Sequence, residues 1–207
     1  MRIQNIPMGY IGTNTYLAHE EETMKGFMVD PGDYSSKVSE KIREAGISIE
    51  YIILTHGHAD HIMGATRFKQ DFPGSKIVAH RAEKRMISNK NFNMTPQFGY
   101  PVEFDADIYV EDEDELTVGG LTLKFLFTPG HSPGGMCIYI ESENVLFSGD
   151  TLFRQSIGRT DFPGCSFNTL AESIHKKLWT LPDETKVFPG HMEPTNIGFE
   201  KANNPFV

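Results

Sequence analysis

Residues 53–64 read ILTHGHADHIMG and bring His56, His58, Asp60 and His61 within six positions. Imidazole nitrogens and carboxylate oxygens at this density are the donors of a divalent metal site. Alternation along an extended segment puts His56 and His58 on one side, so both imidazoles can reach one ion. Asp60 and His61 fall at the start of the helix expected next, offset enough to address a second ion nearby. Three more donors follow apolar, strand-like runs: His131 in LFTPGHS, Asp150 in VLFSGD and His191 in VFPGH. Strand ends on one sheet edge are where ligands from distant parts of a chain converge. The other histidines read as surface or structural: His19 beside three glutamates, His80 before a helix, and His175 beside two lysines.

These donors need strands to aim them, and the chain supplies strand-like runs in both halves. TNTYLAH, GFMVD, YIILT and KIVAH come first; ELTV and LTLKFLF follow, turning at Gly119-Gly120, then MCIYI, NVLFSGD and KVFPGH. Helical spacing marks residues 36–45, with Gly46 as a stop, residues 61–72 ended by Pro73-Gly74, and a helix behind a Ser166 cap carrying Phe167, Leu170, Ile174 and Leu178. A short helix is expected at the end. Residues 88–106, with Pro96 and Pro101 and little periodicity, read as a long surface loop that covers a site. The pattern is an α/β class of sheets packed together and covered by helices, and periodicity fits a doubly wound sheet equally.

A length of 207 residues suits one domain, 1–207, and 39% hydrophobic residues suit an ordered core. The net charge of −9 opposes binding to a phosphate backbone, so no nucleic acid partner is expected. No run of eighteen apolar residues and no basic segment leading an apolar one occurs, which predicts a soluble, cytoplasmic protein without a membrane partner. Cys137, inside an apolar run, reads as a buried structural thiol. Cys165 sits in a Pro-Gly loop and has no assigned role.

T-H-G-H-A-D-H, G-H at 130–131, G-D at 149–150 and P-G-H at 189–191 resemble the metallo-β-lactamase superfamily, in matching order from about residue 10 to 195. The resemblance implies a four-layered αββα sandwich with its site at one edge. LFSGDTLFRQSIGRTDFPG and the ending NNPFV are similar to short bacterial glyoxalase II-like hydrolases. By the family pattern, His56, His58 and His131 would bind one metal, Asp60, His61 and His191 a second, and Asp150 would bridge them. The implied cofactors are two divalent ions, zinc first, with iron or manganese as alternatives. The β-lactamases of this layout are exported and often use a cysteine ligand, where Asp150 stands here. D-H-I-M-G in place of the glyoxalase D-H-x-G-G, with G-R-T-D-F, also resembles the persulfide dioxygenases. Those use one iron, held by residues matching His56, His131 and Asp150.

Two ions sharing a water lower its pKa, so that hydroxide is available near neutral pH, and polarise a carbonyl. The implied activity is hydrolysis of a small acidic thioester or ester such as S-lactoylglutathione. Asp60 would take a proton from the water. Asp30, in MVDPG, either orients a ligand imidazole or forms a turn. Arg159 and Asp161 are expected to hold their own loop, and Phe98 and Tyr100 are apolar lid candidates.

Overall fold

The computed structural model describes residues 1–207. Arg2–Met8 (β1), Thr13–His19 (β2) and Lys25–Val29 (β3) pair antiparallel, and Ser48–Ile53 (β4), Lys76–His80 (β5) and Ile108–Val110 (β6) continue the sheet in parallel. A second sheet begins with the antiparallel strands Glu115–Val118 (β7), Leu121–Phe127 (β8), Met136–Ile140 (β9) and Val145–Gly149 (β10). Leu152–Phe153 (β11) and Ser156–Ile157 (β12) make a small ribbon of their own. Lys186–Pro189 (β13) then joins β10 in parallel, and Thr195–Asn196 (β14) closes that edge.

Strand alternation builds the layers. Tyr16, Phe27 and Ile53 point inward from the first sheet and meet Leu123, Phe125 and Phe147 of the second in one buried cluster. Their neighbours in sequence, Leu17, Met28 and Ile52, point outward. They pack with Ile42 of helix Ser36–Glu44 (α1), Ile62 of Ala59–Ile62 (α2) and Phe68 of Ala65–Asp71 (α3). On the other outer face Leu126, Tyr139, Leu146 and Val187 pack under a helical layer that supplies Leu170, Ile174 and Ile197. The result is the αββα sandwich, and strands covered on both faces explain the near-continuous apolar runs.

Several local expectations hold. Gly46, with φ of +70°, ends α1, and Gly119, with φ of +58°, turns the β7–β8 hairpin. No helix is long and apolar enough to cross a membrane. Two expectations need correction. Residues 61–72 do not form one helix: α2 and α3 are separated at Met63-Gly64, where the Gly64 amide donates to the Pro31 carbonyl at 2.8 Å.

Residues 88–106 are not simply a surface loop either. Beyond Lys84–Ile87 (α4), Lys90–Asn93 (α5) and a 3-10 turn at Thr95–Phe98 fold over the sheet edge. A fully buried amide pins them: Asn93 Nδ2 donates to the Val102 carbonyl at 2.8 Å, and the Val102 amide donates to Thr95 Oγ1 at 2.9 Å. Polar side chains closing a loop on its own backbone leave no apolar period to read. The final layer comprises Phe167–Ser173 (α6), continued by a π turn to Leu178, and Ile197–Asn203 (α7). Ser166 caps α6 by accepting from the Thr169 amide at 3.3 Å.

Candidate metal centre

The sandwich delivers every predicted donor to one edge. Residues 55–61 lie between β4 and α3, His131 follows β8, Asp150 follows β10, and His191 follows β13. All seven residues come together. Nitrogens of His56, His58 and His131 lie within 4.8 Å of one another, and so do the ligand atoms of Asp60, His61 and His191. Asp150 sits between the groups, its Oδ2 3.6 Å from both His131 Nε2 and His191 Nε2 and its Oδ1 3.4 Å from His61 Nε2.

Hydrogen bonds behind the rings decide which nitrogens face the centre. His131 Nδ1 donates to the Arg159 carbonyl at 2.8 Å, leaving Nε2 with its lone pair inward. Asp30 Oδ2 accepts from His61 Nδ1 at 2.9 Å and from Thr55 Oγ1 at 2.6 Å, and its Oδ1 accepts from the Thr55 amide at 2.7 Å. Having donated its proton to Asp30, Thr55 Oγ1 can accept from His56 Nδ1, 3.1 Å away, which frees His56 Nε2. Asp30 therefore orients a ring, and with φ of +49° it also turns the chain, so both readings of MVDPG apply.

Electrostatics agree with this donor set. Burial and repulsion among the neighbouring rings hold His56 far below the ordinary histidine range, and burial and then His131 hold His58 down at about 3. His131 is lowered too, chiefly by burial. Three neutral imidazoles each have one unprotonated nitrogen, the form in which a histidine binds a metal. For Asp60 and Asp150 burial opposes ionisation, but the surrounding histidines, His61 first, outweigh it and keep both as carboxylates. Burial likewise opposes a charge on His61, but Asp60, Asp150 and Asp30 outweigh it and raise that ring.

His61 Nε2 and Asp150 Oδ1 are buried without a hydrogen-bond partner. At 3.4 Å the two atoms share an electrostatic contact and no hydrogen bond, and a divalent cation between them would give each a direct bond. The residues present fit the metal that the donor set implies. Gly190 keeps the space open, because a Cβ there would collide with Asp150 and His61.

Residues 8–191 match the family model described as "Metallo-beta-lactamase superfamily". The chain belongs to that superfamily. Among curated members, it is 37% identical to the "Probable metallo-hydrolase YqgX" of Bacillus subtilis, the alignment covering 100% of this chain and 98% of that one. It is 34% identical to the "Hydroxyacylglutathione hydrolase GloC" of Haemophilus influenzae with the same coverage. Among solved structures, BLEG-1 B3 metallo-beta-lactamase superposes with a TM-score of 0.92 at 36% identity, covering 99% of both chains. TTHA1623 in a di-iron-bound form gives 0.86 at 29%, covering 99% of this chain and 100% of that one. ETHE1 from Myxococcus xanthus gives 0.81 at 28%, covering 99% and 84%.

Around this metallo-β-lactamase-type centre, sequence reasoning missed three supports. Thr13 Oγ1 donates to Asp60 Oδ2 at 3.1 Å, and Thr55 links Asp30 to His56. Glu83, fully buried, accepts from the Gly57 amide at 3.1 Å through Oε2 and from Ser132 Oγ at 2.5 Å and the Gly134 amide at 2.6 Å through Oε1. One carboxylate thus ties the His56–His58 segment to the segment after His131. Gly57 permits the approach, since a Cβ there would stand 2.8 Å from Glu83 Oε2. No motif flags these residues; Thr13, the first residue of β2, and Glu83, shortly after β5, share only a place near a strand end.

The remaining candidates sort plainly. His19 and His80 are buried, His80 stacked on Phe127 with centroids 4.1 Å apart, and His175 is exposed. Cys137 is buried, which pushes its thiol up to about 11. The Cys165 thiol donates to the His131 carbonyl at 2.8 Å. Arg159 and Asp161 form a two-bond pair at 2.7 Å each. Of the two lid candidates, Phe98 lines the cavity over the centre, whereas the Tyr100 hydroxyl donates to the Met63 carbonyl at 3.3 Å.

Proposed function

We propose that the chain is a binuclear metal-dependent hydrolase of a small thioester or ester, with residues 1–207 acting as one domain. His56, His58 and His131 would hold one divalent ion, Asp60, His61 and His191 would hold the other, and Asp150, between the two groups, would serve both. The observation that carries this reading is the pair of partnerless buried atoms, His61 Nε2 and Asp150 Oδ1, in the middle of seven converging donors. Zinc is the first expectation, and the likeness to a di-iron-bound structure keeps iron in the test.

When bound, the metal supplies Lewis acidity, which makes a water more acidic and polarises the substrate carbonyl. The protein does the rest. Asp60 lines the cavity; its Oδ2 is occupied by Thr13 Oγ1 and lies 3.1 Å from His191 Nε2, so its other oxygen is the one left to take the proton of the attacking water. Asp30, Thr55 and the Arg159 carbonyl keep the ring tautomers fixed through this step.

Hydrolysis of a set of small acyl thioesters, S-lactoylglutathione among them, by the purified protein, with metal content measured on the same sample, tests the reading. Oxygen uptake on glutathione persulfide and cleavage of a β-lactam are run beside it, because the D-H-I-M-G and G-R-T-D-F motifs and the likeness to BLEG-1 B3 metallo-beta-lactamase point to those activities as the competing outcomes. Thioester hydrolysis with two ions per chain supports the proposal. A single iron with oxygen uptake and no hydrolysis overturns it.

A further inference from the structure

The cavity over the centre has a volume of about 680 Å³, large enough for substrate groups well beyond a carbonyl. Ile11, Phe98, Phe153, Phe162 and Met192 wall it, and Ile11 and Met192 present exposed apolar surface near its mouth. Its carboxylates, Asp60 and Asp150, belong to the proposed metal centre. The one cation on its lining is Arg159. That guanidinium is already neutralised by Asp161, with Nε and Nη2 each 2.7 Å from a carboxylate oxygen, and it lies 4.0 Å over the Phe162 ring.

We propose that the preferred substrate carries an apolar thiol or alcohol on the leaving side of its carbonyl, and that glutathione thioesters are turned over poorly. The inference rests on the hydrolase reading above and narrows it. A glutathione leaving group brings two carboxylates and an ammonium into the cavity. The carboxylates would find no unpaired lysine or arginine on the cavity lining to meet them, in a chain whose net charge is −9. An apolar group instead leaves water for the walls that the protein already presents. In the reaction the water oxygen bonds to the acyl carbon and the carbon–sulfur or carbon–oxygen bond breaks. The water's protons are shared between the leaving thiolate or alkoxide and solvent, giving a carboxylate and a free thiol or alcohol.

Three probes with one acyl group and thiols of similar acidity isolate the leaving side: S-lactoyl benzyl mercaptan, S-lactoyl N-acetylcysteamine and S-lactoylglutathione. With the metal-loaded protein, kcat/KM for the benzyl thioester is expected to exceed that for the glutathione thioester by about tenfold or more, mostly through KM. Replacing Phe98→Ala and Met192→Ala together shrinks that advantage. Asp161→Ala, which releases the guanidinium at an exposed position, raises kcat/KM on S-lactoylglutathione. A glutathione thioester hydrolysed as well as or better than the benzyl one overturns the inference while leaving the hydrolase reading intact. Hydrolysis of none of the three overturns that reading and the inference with it.

Discussion

The two halves of the proposed metal centre are built differently. The His56–His58–His131 half is buried and made of neutral rings, with Thr55 and the Arg159 carbonyl behind two of them and Glu83 tying their loops together. In the half formed by Asp60, His61 and His191 the side chain of Asp60 is 14% exposed and that of His191 24%, while His61 is fully buried and His58 and His131 of the other half line the same cavity. His191 is held through its backbone, where Asn14 Nδ2 donates to the carbonyls of Pro189 at 3.0 Å and Met192 at 2.8 Å. Under the proposed function the first half would be the preformed cage and the second, more exposed at Asp60 and His191, would bear the proton transfer, with Asp150 joining the two.

Substitutions that break this division should fall in a definite order. Asp150→Ala removes the shared ligand, and His58→Ala breaks the cage. Each is expected to abolish hydrolysis and deplete metal by far more than the roughly 100-fold affinity loss that follows removal of an outer partner. Metal content and turnover measured on one preparation check this, and near-normal turnover in either variant would show the ligand assignment wrong. His191→Ala should cost activity as severely yet leave one ion per chain in the cage, whereas His131→Ala should release that ion first. Equal depletion by the two would erase the distinction between the halves.

Smaller effects probe the supports. Asp30→Asn keeps the shape but lets the His61 ring lose its orienting acceptor. The expected loss of metal affinity is about 10- to 100-fold, read from competition with a chelator. Glu83→Gln weakens two backbone contacts and the Ser132 bond without touching the metal. It should loosen the three-histidine ion and lower thermal stability by about 1–3 kcal/mol, since hydrogen bonds to a buried charge are of that size. Binding and melting measured together test it, and unchanged metal affinity would reduce Glu83 to a purely structural clamp. Thr13→Val removes one hydrogen bond from Asp60 and should slow hydrolysis by only a few fold, equivalent to about 1 kcal/mol, with both ions retained.

The same contrast explains what could be read from the chain. His56, His58, Asp60 and His61 were legible because the loop after β4 and the start of α2 carry them all, so their spacing is a local property. His131, Asp150 and His191 were legible because each follows an apolar run, and strands covered on both faces make such runs conspicuous. Glu83 left no mark, since its partners Gly57 and Ser132 lie 26 and 49 residues away and its neighbours in sequence say nothing of them. Thr13 and Thr55 are ordinary strand-end residues until the fold brings Asp60 and Asp30 beside them. In residues 88–106 the order comes from Asn93 and Thr95 bonding to backbone, a device without periodicity. β1 was missed for a related reason: its period of two, through Ile6 and Met8, is interrupted by Pro7 and leaves most of the strand's side chains at the surface.

The central claim is a two-ion centre bridged by Asp150, and its most direct test is a titration of the metal-free protein and the Asp150→Ala variant with zinc, followed by calorimetry. Two equivalents per chain are predicted for the parent protein, the first binding more tightly. The variant should lose the separation between the two events together with at least one of them. A single equivalent in the parent, or two that the variant binds equally well, would contradict the account.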